Sequence, residues 1–292
     1  MTGAAQRLAY LAWASLARCA KWRPACPECG SPNSARVDRK YVVTELRRCR
    51  SCRLMYRIPH DSPTFNRWFY NLFYSQGFTT DVPDQTALDA MLVSGFKDTP
   101  KDFDRYIEVL RMLGARPGQR LFDFGASWGY GSWQLRRAGF EVVASEISRS
   151  RRHFASEKLG VSTVEDPFDP QFREEFAGRF DIFFSSHVLE HVPQPGRVWT
   201  LARELLRSGG LFVAITPNGA EEARRTNPEW RKLWGLVHPN LIDDEFYLAR
   251  FSAPARLVAS LPLDPHALSD WAAGGDTRLS LSGGELLFAA RL

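Results

Sequence analysis

Apolar residues in the second half of the chain fall into short continuous blocks separated by stretches that are apolar on one side only. From residue 103 the order reads FDRYIEVLRML as a helix, RLFDFG as a strand, SWQLRRAG as a helix and EVVASE as a strand. It continues with RRHFASEKLG as a helix, VSTVE as a short strand and FDIFFSS as another strand. Spacings of three and four mark the helices, and unbroken runs of β-branched and aromatic residues mark strands buried on both faces. A further helix over 198–206 is expected to stop at Gly209-Gly210, before the strand LFVAITPN and a closing strand ELLFAARL. Seven strands result if PHALSDW supplies the sixth. Helices alternating with buried strands predict an α/β fold around a mainly parallel sheet.

The first hundred residues follow other rules. Over 7–21 the sequence RLAYLAWASLARCAK places Arg7, Ala14, Arg18 and Lys21 opposite Leu8 and Leu11, an amphipathic helix expected to pack on the core. Its uncharged run is far shorter than the roughly 20 residues that span a bilayer, so contact with a membrane would be peripheral. It lacks the flank and cleavage pattern of a signal peptide. In 61–100 the residues Phe65, Trp68, Phe69, Tyr70, Phe73 and Tyr74 recur at helical spacing, with the Tyr70 and Tyr74 hydroxyls on one edge where they could reach a substrate. These breaks divide the chain into a helix (1–22), a cysteine-bearing module (23–60), an aromatic helical linker (61–100) and an α/β domain (101–292) with an insertion at 217–250.

Cysteine spacing decides what the 23–60 module is. Cys26 and Cys29 form one CxxC pair, Cys49 and Cys52 another, with nineteen residues between them. Two such knuckles aim four thiolates at one centre, the tetrahedral set that zinc prefers, with no position left open for catalysis. Residues 35–46 alternate enough to form a strand or hairpin between the knuckles. The module reads as a zinc ribbon, a separate structural unit whose loss should leave cofactor binding near normal. Cysteines used in this way imply a reducing, cytoplasmic location, where the amino-terminal helix could rest on the inner membrane.

Charge is unevenly placed. Residues 1–60 carry twelve Lys and Arg against three Asp and Glu, a balance of +9 within a chain whose total is +5. The excess could meet phosphates, but no extended basic surface or RNA-binding motif follows residue 60, which argues against nucleic acid as partner.

The turn after the first strand of the α/β domain reads LFDFGASWGYGS, with Gly125, Gly129 and Gly131 where the backbone bends sharply. Glu146 ends the next strand, 21 residues after Gly125, where a carboxylate can accept hydrogen bonds from both ribose hydroxyls of an adenosine ligand. Here residues 103–292 resemble the class I S-adenosylmethionine-dependent methyltransferases, a Rossmann-like fold. LFDFGASWGYGS, ASEIS and FDIFFSSHVLEHVPQPGR stand for the family's first, second and fourth-strand motifs. The resemblance implies S-adenosylmethionine as cofactor, with Asp123, Gly125, Ala126 and Gly129 around its methionine end, Glu146 on the ribose and Asp166 at the adenine amino group. Ser127 stands where the family has its middle glycine, so the loop is expected either to hold the cofactor differently or to bury Trp128 beneath it. The combination of ribbon, aromatic helix and HVLEHVP further resembles bacterial methyltransferases of sugar and polysaccharide biosynthesis.

Candidate acid–base residues follow the fourth strand of that domain. His187, Glu190 and His191 stand in SSHVLEHVP, with His191 expected near the acceptor and His187 in a smaller part. A related Glu-x-x-Glu-His cluster binds a divalent ion in some O-methyltransferases. Here His187 replaces the first Glu, so a second metal at His187, Glu190 and His191, joined by His238, is an alternative. In the insertion, Trp230, Trp234 and His238 at steps of four could form a wall for a sugar ring, with Arg224, Arg225 and Arg231 for phosphate. These features predict methylation of a sugar hydroxyl on a small-molecule or glycan acceptor. An RNA base methyltransferase and a non-catalytic S-adenosylmethionine-binding scaffold are the alternatives.

Overall fold

A computed structural model describes residues 11–12, 14–15, 25–59, 82–235, 237–268, 271 and 274–292. Leu11, Ala12, Ala14 and Ser15 are helical, as the pattern predicts; the rest of that helix, Cys19, Tyr70 and Tyr74 lie outside the described residues. Among the described residues, no helix is long and apolar enough to cross a membrane.

The cysteine module opens with a hairpin of β1 (Ser34–Lys40) and β2 (Thr44–Cys49), followed by β3 (Met55–Ile58). Next come α1 (Gln85–Ser94), whose first turn is capped by Asp84 accepting from Ala87 N at 2.8 Å, and α2 (Asp104–Met112). The alternation then runs β4 (Arg120–Phe124), α3 (Tyr130–Arg137), β5 (Glu141–Ser145), α4 (Arg149–Leu159) and β6 (Thr163–Val164). It proceeds through α5 (Pro170–Phe176), β7 (Phe180–Ser186), α6 (Pro195–Leu205) and β8 (Leu206–Pro217). The insertion folds as α7 (Glu221–Thr226), a 3₁₀ turn at Trp230–Leu233, β9 (Asn240–Leu241) and α8 (Asp244–Arg250). The chain closes with β10 (Ala255–Leu261), β11 (Asp276–Arg278) and β12 (Glu285–Arg291).

The large sheet has eight strands in the order β11-β10-β12-β8-β7-β4-β5-β6. Strands β6, β5, β4, β7 and β8 are mutually parallel, whereas β12 runs antiparallel between β8 and β10. The predicted α/β, Rossmann-like architecture is therefore present, with two local differences. The sixth strand of the expected series is ARLVASL of β10, while PHAL forms a 3₁₀ turn, Pro265–Leu268. Gly209 and Gly210 do not stop the helix; they lie inside β8, where the β7–β8 register shifts.

The cysteine module is not a separate unit. The insertion's β9 adds to its edge, giving a sheet ordered β1-β2-β3-β9 with Met55 opposite Leu241 and Tyr56 opposite Asn240. Cys26, Cys49, Cys52, Leu54 and Tyr56 share one buried cluster with Phe122, Phe183 and Phe246 of the α/β domain. Charge follows the same line. Arg48 pairs with Asp243 at 2.6 Å, Arg53 with Glu245, and Arg250 with the buried Glu28 at 2.7 Å. Glu28, inside the first CxxC pair, also accepts from Gly196 N in the first turn of α6 at 3.0 Å. A carboxylate at a helix start satisfies an orphan N–H and the helix dipole together.

Cys26 and Cys52 sulfurs lie 3.5 Å apart, as do those of Cys29 and Cys49, and all four fall within 4.8 Å of one another. Such spacing fits four thiolates around one tetrahedral ion, with zinc–sulfur bonds of about 2.3 Å. Burial raises the Cys49 thiol, but backbone N–H groups of Cys52 and Ser51 outweigh it and bring it down to about 7.

Because module and α/β domain share a core, removing the metal with a chelator, or Cys26→Ser, is expected to lower the melting temperature of the whole chain in one cooperative transition. Purified protein should hold about one zinc per chain by elemental analysis. Calorimetry showing two independent transitions, with the larger one unmoved, would contradict this coupling.

Candidate active site

Parallel strands deliver their carboxyl ends to one edge of the sheet, where the loops after β4, β5 and β7 meet. The loop after β4 turns at Gly125 and Gly129, both with φ near +88°. A Cβ on Gly125 would sit 2.4 Å from Val188, and one on Gly129 would sit 2.9 Å from Ala155. These glycines thus let the His-bearing turn and α4 pack against the loop. Ser127 adopts the left-handed conformation of the glycine it replaces, φ 55°, so the loop keeps its path. Trp128 is wholly buried behind it among Phe96, Tyr130 and Phe154, the second of the two arrangements anticipated.

Two carboxylates flank this loop. Asp123 is buried and accepts from Ser132 Oγ at 2.5 Å; burial, aided by the Glu146 charge, raises it to about 6. Glu146 accepts from Ser127 N at 2.9 Å and from Ser148 N at 2.7 Å, which fixes the carboxylate at the end of β5. Burial raises Glu146 above the usual carboxylate range, against the pull of those N–H groups and of Arg151. Beside it Ile147 is 65% exposed, a large apolar surface on the same loop that the sequence reading passed over. Asp166 is exposed just beyond β6, its Oδ1 accepting from Phe168 N at 2.9 Å. The set suits a ligand that is cationic at one end and a nucleoside at the other: buried carboxylates for charge, a fixed acceptor for hydroxyls, an apolar face for a ring.

After β7 the chain forms a 3₁₀ turn, Leu189–His191. His191 Nδ1 lies 2.6 Å from the Val237 carbonyl, which can only accept, so Nδ1 carries the proton and Nε2 is the ring's accepting atom. Burial, outweighing the Glu190 charge, lowers His191 to about 4. His238 meets it edge-on, ring centres 4.8 Å apart, with its own Nδ1 2.9 Å from Leu233 O. Glu190 is buried, and neither of its oxygens reaches a hydrogen-bond partner among the described residues. Burial alone would raise it, yet the three histidines around it hold it below the usual range.

His187 goes elsewhere. Its backbone is left-handed, φ 55°, and its Nε2 lies 2.6 Å from Glu285 Oε1, while Nδ1 is 3.6 Å from Glu190. Burial would lower its pKa, but the two carboxylates override this and push it up to about 9. It therefore holds a proton at neutral pH, which does not suit a base. Tyr106 Oη donates to the same Glu285 oxygen at 2.6 Å, and Arg105 lies 3.0 Å from it. Tyr106 and Glu285 were not legible as site residues. Glu285 opens a strand that is apolar from Leu286 to Ala290, and only the antiparallel course of β12 brings that opening to the carboxyl-terminal edge of β7 and β8.

Three expectations need correction. Trp230 and Trp234 are not a ring-stacking wall: they are 3% and 2% exposed, packed with Leu46, Met55 and Leu241. Arg231 pairs with Asp38 and Arg224 lies over Trp230, so neither is set out for phosphate. The insertion is built of several short elements, and its β9 pairs with the ribbon. The metal-capable group beside the site is Glu190, His191 and His238, ligand atoms within 4.8 Å, without His187.

The family described as a methyltransferase domain matches residues 101–250. The ubiquinone biosynthesis O-methyltransferase of Caulobacter sp. (strain K31) is 33% identical over 156 residues, 51% of this chain and 61% of that protein. Its counterpart in Caulobacter vibrioides is 30% identical over 158 residues, 52% of this chain and 60% of that protein. The matched stretch thus spans about three fifths of these relatives. Among solved structures, geranyl diphosphate C-methyltransferase from Streptomyces coelicolor A3(2) aligns with a TM-score of 0.44 and 19% identity, covering 71% of this chain and 84% of that one.

Asp123 yields a prediction independent of any ligand. Its folded carboxyl titrates near 6 and an unfolded aspartate near 4, so the fold binds the extra proton between them. This group's contribution to stability is therefore complete below about pH 4 and declines as pH rises through 6. Asp123→Asn should remove that decline and stabilise the chain at pH 7 by up to about 3 kcal/mol. Urea unfolding at pH 4 and pH 7 checks this; an equal difference between the two proteins at both pH values would contradict it.

Proposed function

Because the chain belongs to the methyltransferase-domain family, with the fold of its class I S-adenosylmethionine-dependent members, we propose that it methylates a hydroxyl of a small-molecule acceptor. S-adenosylmethionine supplies a methyl group on a sulfonium, open to in-line attack by a nucleophile. The observation that carries the reading is the His191 imidazole at the end of β7, neutral, with Nδ1 committed to Val237 O, which makes Nε2 the ring's accepting atom, beside buried Glu190. Such a nitrogen accepts a hydrogen bond from an acceptor hydroxyl and holds its oxygen in line. Glu190 keeps the surroundings negative as that proton shifts toward the ring.

On the cofactor side, Glu146 would hold the ribose hydroxyls, with Ile147 as an apolar surface for the adenine and Asp166 as an acceptor for its amino group. Asp123 and the Gly125, Ala126 and Gly129 turn would hold the methionine end. His187 serves as a positioning residue, tied by Glu285 and Tyr106 to the closing strand.

The hydroxyl acceptor draws support from the relatives named as O-methyltransferases. A sugar hydroxyl is a narrower possibility, and the burial of Trp230 and Trp234 takes away the aromatic wall that favoured it. A nucleic-acid acceptor is disfavoured because Arg48, Arg53, Arg231 and Arg250 all face the chain's own carboxylates. The four cysteines would hold a structural zinc. A second reading rests on both histidines donating Nδ1–H to carbonyls, the arrangement that turns Nε2 toward a metal. Glu190, His191 and His238 would then hold a divalent cation near the acceptor.

Turnover of a panel of phenolic and sugar hydroxyl compounds, with transfer of labelled methyl, tests the activity. Glu146→Ala should lose about 1.5–3 kcal/mol of S-adenosylmethionine affinity by calorimetry. His191→Asn should keep that affinity and lower kcat about 10²-fold. Unchanged kcat in His191→Asn removes His191 from the acceptor site. Manganese binding that survives in the intact ribbon protein but disappears in both Glu190→Gln and His238→Ala would favour the second reading.

A further inference from the structure

The ribbon's third strand carries a buried side chain that meets the segment packed against His191. Arg57 is wholly buried, an expensive place for a guanidinium unless its donors are used for geometry. Its Nη1 donates to Gly235 O at 2.7 Å, its Nε to Pro59 O at 3.3 Å, and its backbone N–H to Pro239 O at 2.7 Å. Gly235 and Pro239 flank Val237 and His238, the two residues that meet His191: Val237 through its carbonyl, His238 through its ring. The same stretch is held elsewhere by the ribbon. Lys40 Nζ donates to Trp234 O, and Trp234 Nε1 donates to Asp38 at 3.1 Å. Beyond Pro239, Asn240 pairs with Tyr56 and sends its side-chain amide to Val192 O at 2.6 Å, next to His191 itself.

We propose that Arg57 is a positioning residue for His191: by holding the carbonyl of Gly235 and that of Pro239, it sets the Val237 carbonyl that fixes the His191 tautomer. The planar fork explains the residue type. A guanidinium directs several donors at fixed angles from one stem, whereas an ammonium of similar reach acts as a point charge and an apolar side chain supplies no donor. The ribbon thereby shapes the acceptor side of the site without contributing a group that touches substrate. The consequence for turnover rests on the reading of His191 as an acceptor contact; the link from Arg57 to the tautomer does not.

The test uses the full metal-loaded chain with S-adenosylhomocysteine bound. Long-range proton–nitrogen correlation spectra, with His191 assigned by comparison with His191→Asn, report which ring nitrogen carries the proton. The wild-type chain should show the Nδ1–H form. Arg57→Met should move His191 to a mixture or to the Nε2–H form while zinc content and S-adenosylhomocysteine affinity stay within about twofold. Arg57→Lys should recover part of the wild-type signature, and it serves as the milder probe should Arg57→Met not fold. With a hydroxyl acceptor from the panel above that turns over, Arg57→Met should lower kcat about tenfold or more, with KM little changed. An Nδ1–H form retained in both variants overturns the proposal. A changed tautomer with unchanged kcat upholds the positioning link and overturns instead the assignment of His191 to the acceptor.

Discussion

Strand pairing between Met55–Ile58 of the cysteine module and Asn240–Leu241 of the insertion is the contact on which the candidate site depends. A two-residue strand has too few ladder bonds to persist in water, and a module of roughly 35 residues cannot bury enough apolar surface without a staple. Together they enclose Trp230 and Trp234 against Leu46 and Met55, and the joined sheet becomes one wall over the carboxyl edge of β7. The fit of the four thiols to a tetrahedral ion thus acquires a meaning beyond the module itself: whatever holds the knuckles also holds the wall.

Along the sheet edge the same chemical group meets two different environments. Asp123 and Glu146, buried on the β4 and β5 side, are both raised because burial disfavours their charge, with the Glu146 charge adding to the rise at Asp123. Glu190, equally buried on the β7 side, is lowered by the histidines around it. The first pair gains from a cationic ligand; the second is already balanced and favours neutral or weakly polar groups. Separation of this kind suits a cationic group on one side and a neutral polar group on the other.

Electrostatics also accounts for the basic amino-terminal region. An excess of +9 in the first sixty residues looks like a surface for phosphate, yet two of its cations, Arg48 and Arg53, serve the junction between module and insertion, as does Arg250 from the insertion side through Glu28. Asp243 and Glu245, which receive two of them, lie almost two hundred residues away in sequence. Net charge by segment cannot distinguish a solvated face from one half of an internal seam.

The sequence alone determined the alternation of helices and strands, because 3.6-residue and continuous apolar patterns survive in any context that buries them. It likewise determined the glycine turn, the acidic end of β5, the cysteine pairs and the His-Glu-His cluster after β7, since each is a local spacing. Tertiary structure alone decided what faces what. Trp230 and Trp234 have the spacing of a ligand wall but lie under the ribbon, His187 and His191 diverge because one follows Glu285 and the other Val237, and Tyr106 and Arg57 enter the picture only through partners far along the chain. Periodicity reports which side of an element is apolar, not which neighbour covers it; that choice is made when β9 and β12 close on their sheets, and it requires contacts between residues too distant for any local pattern to register.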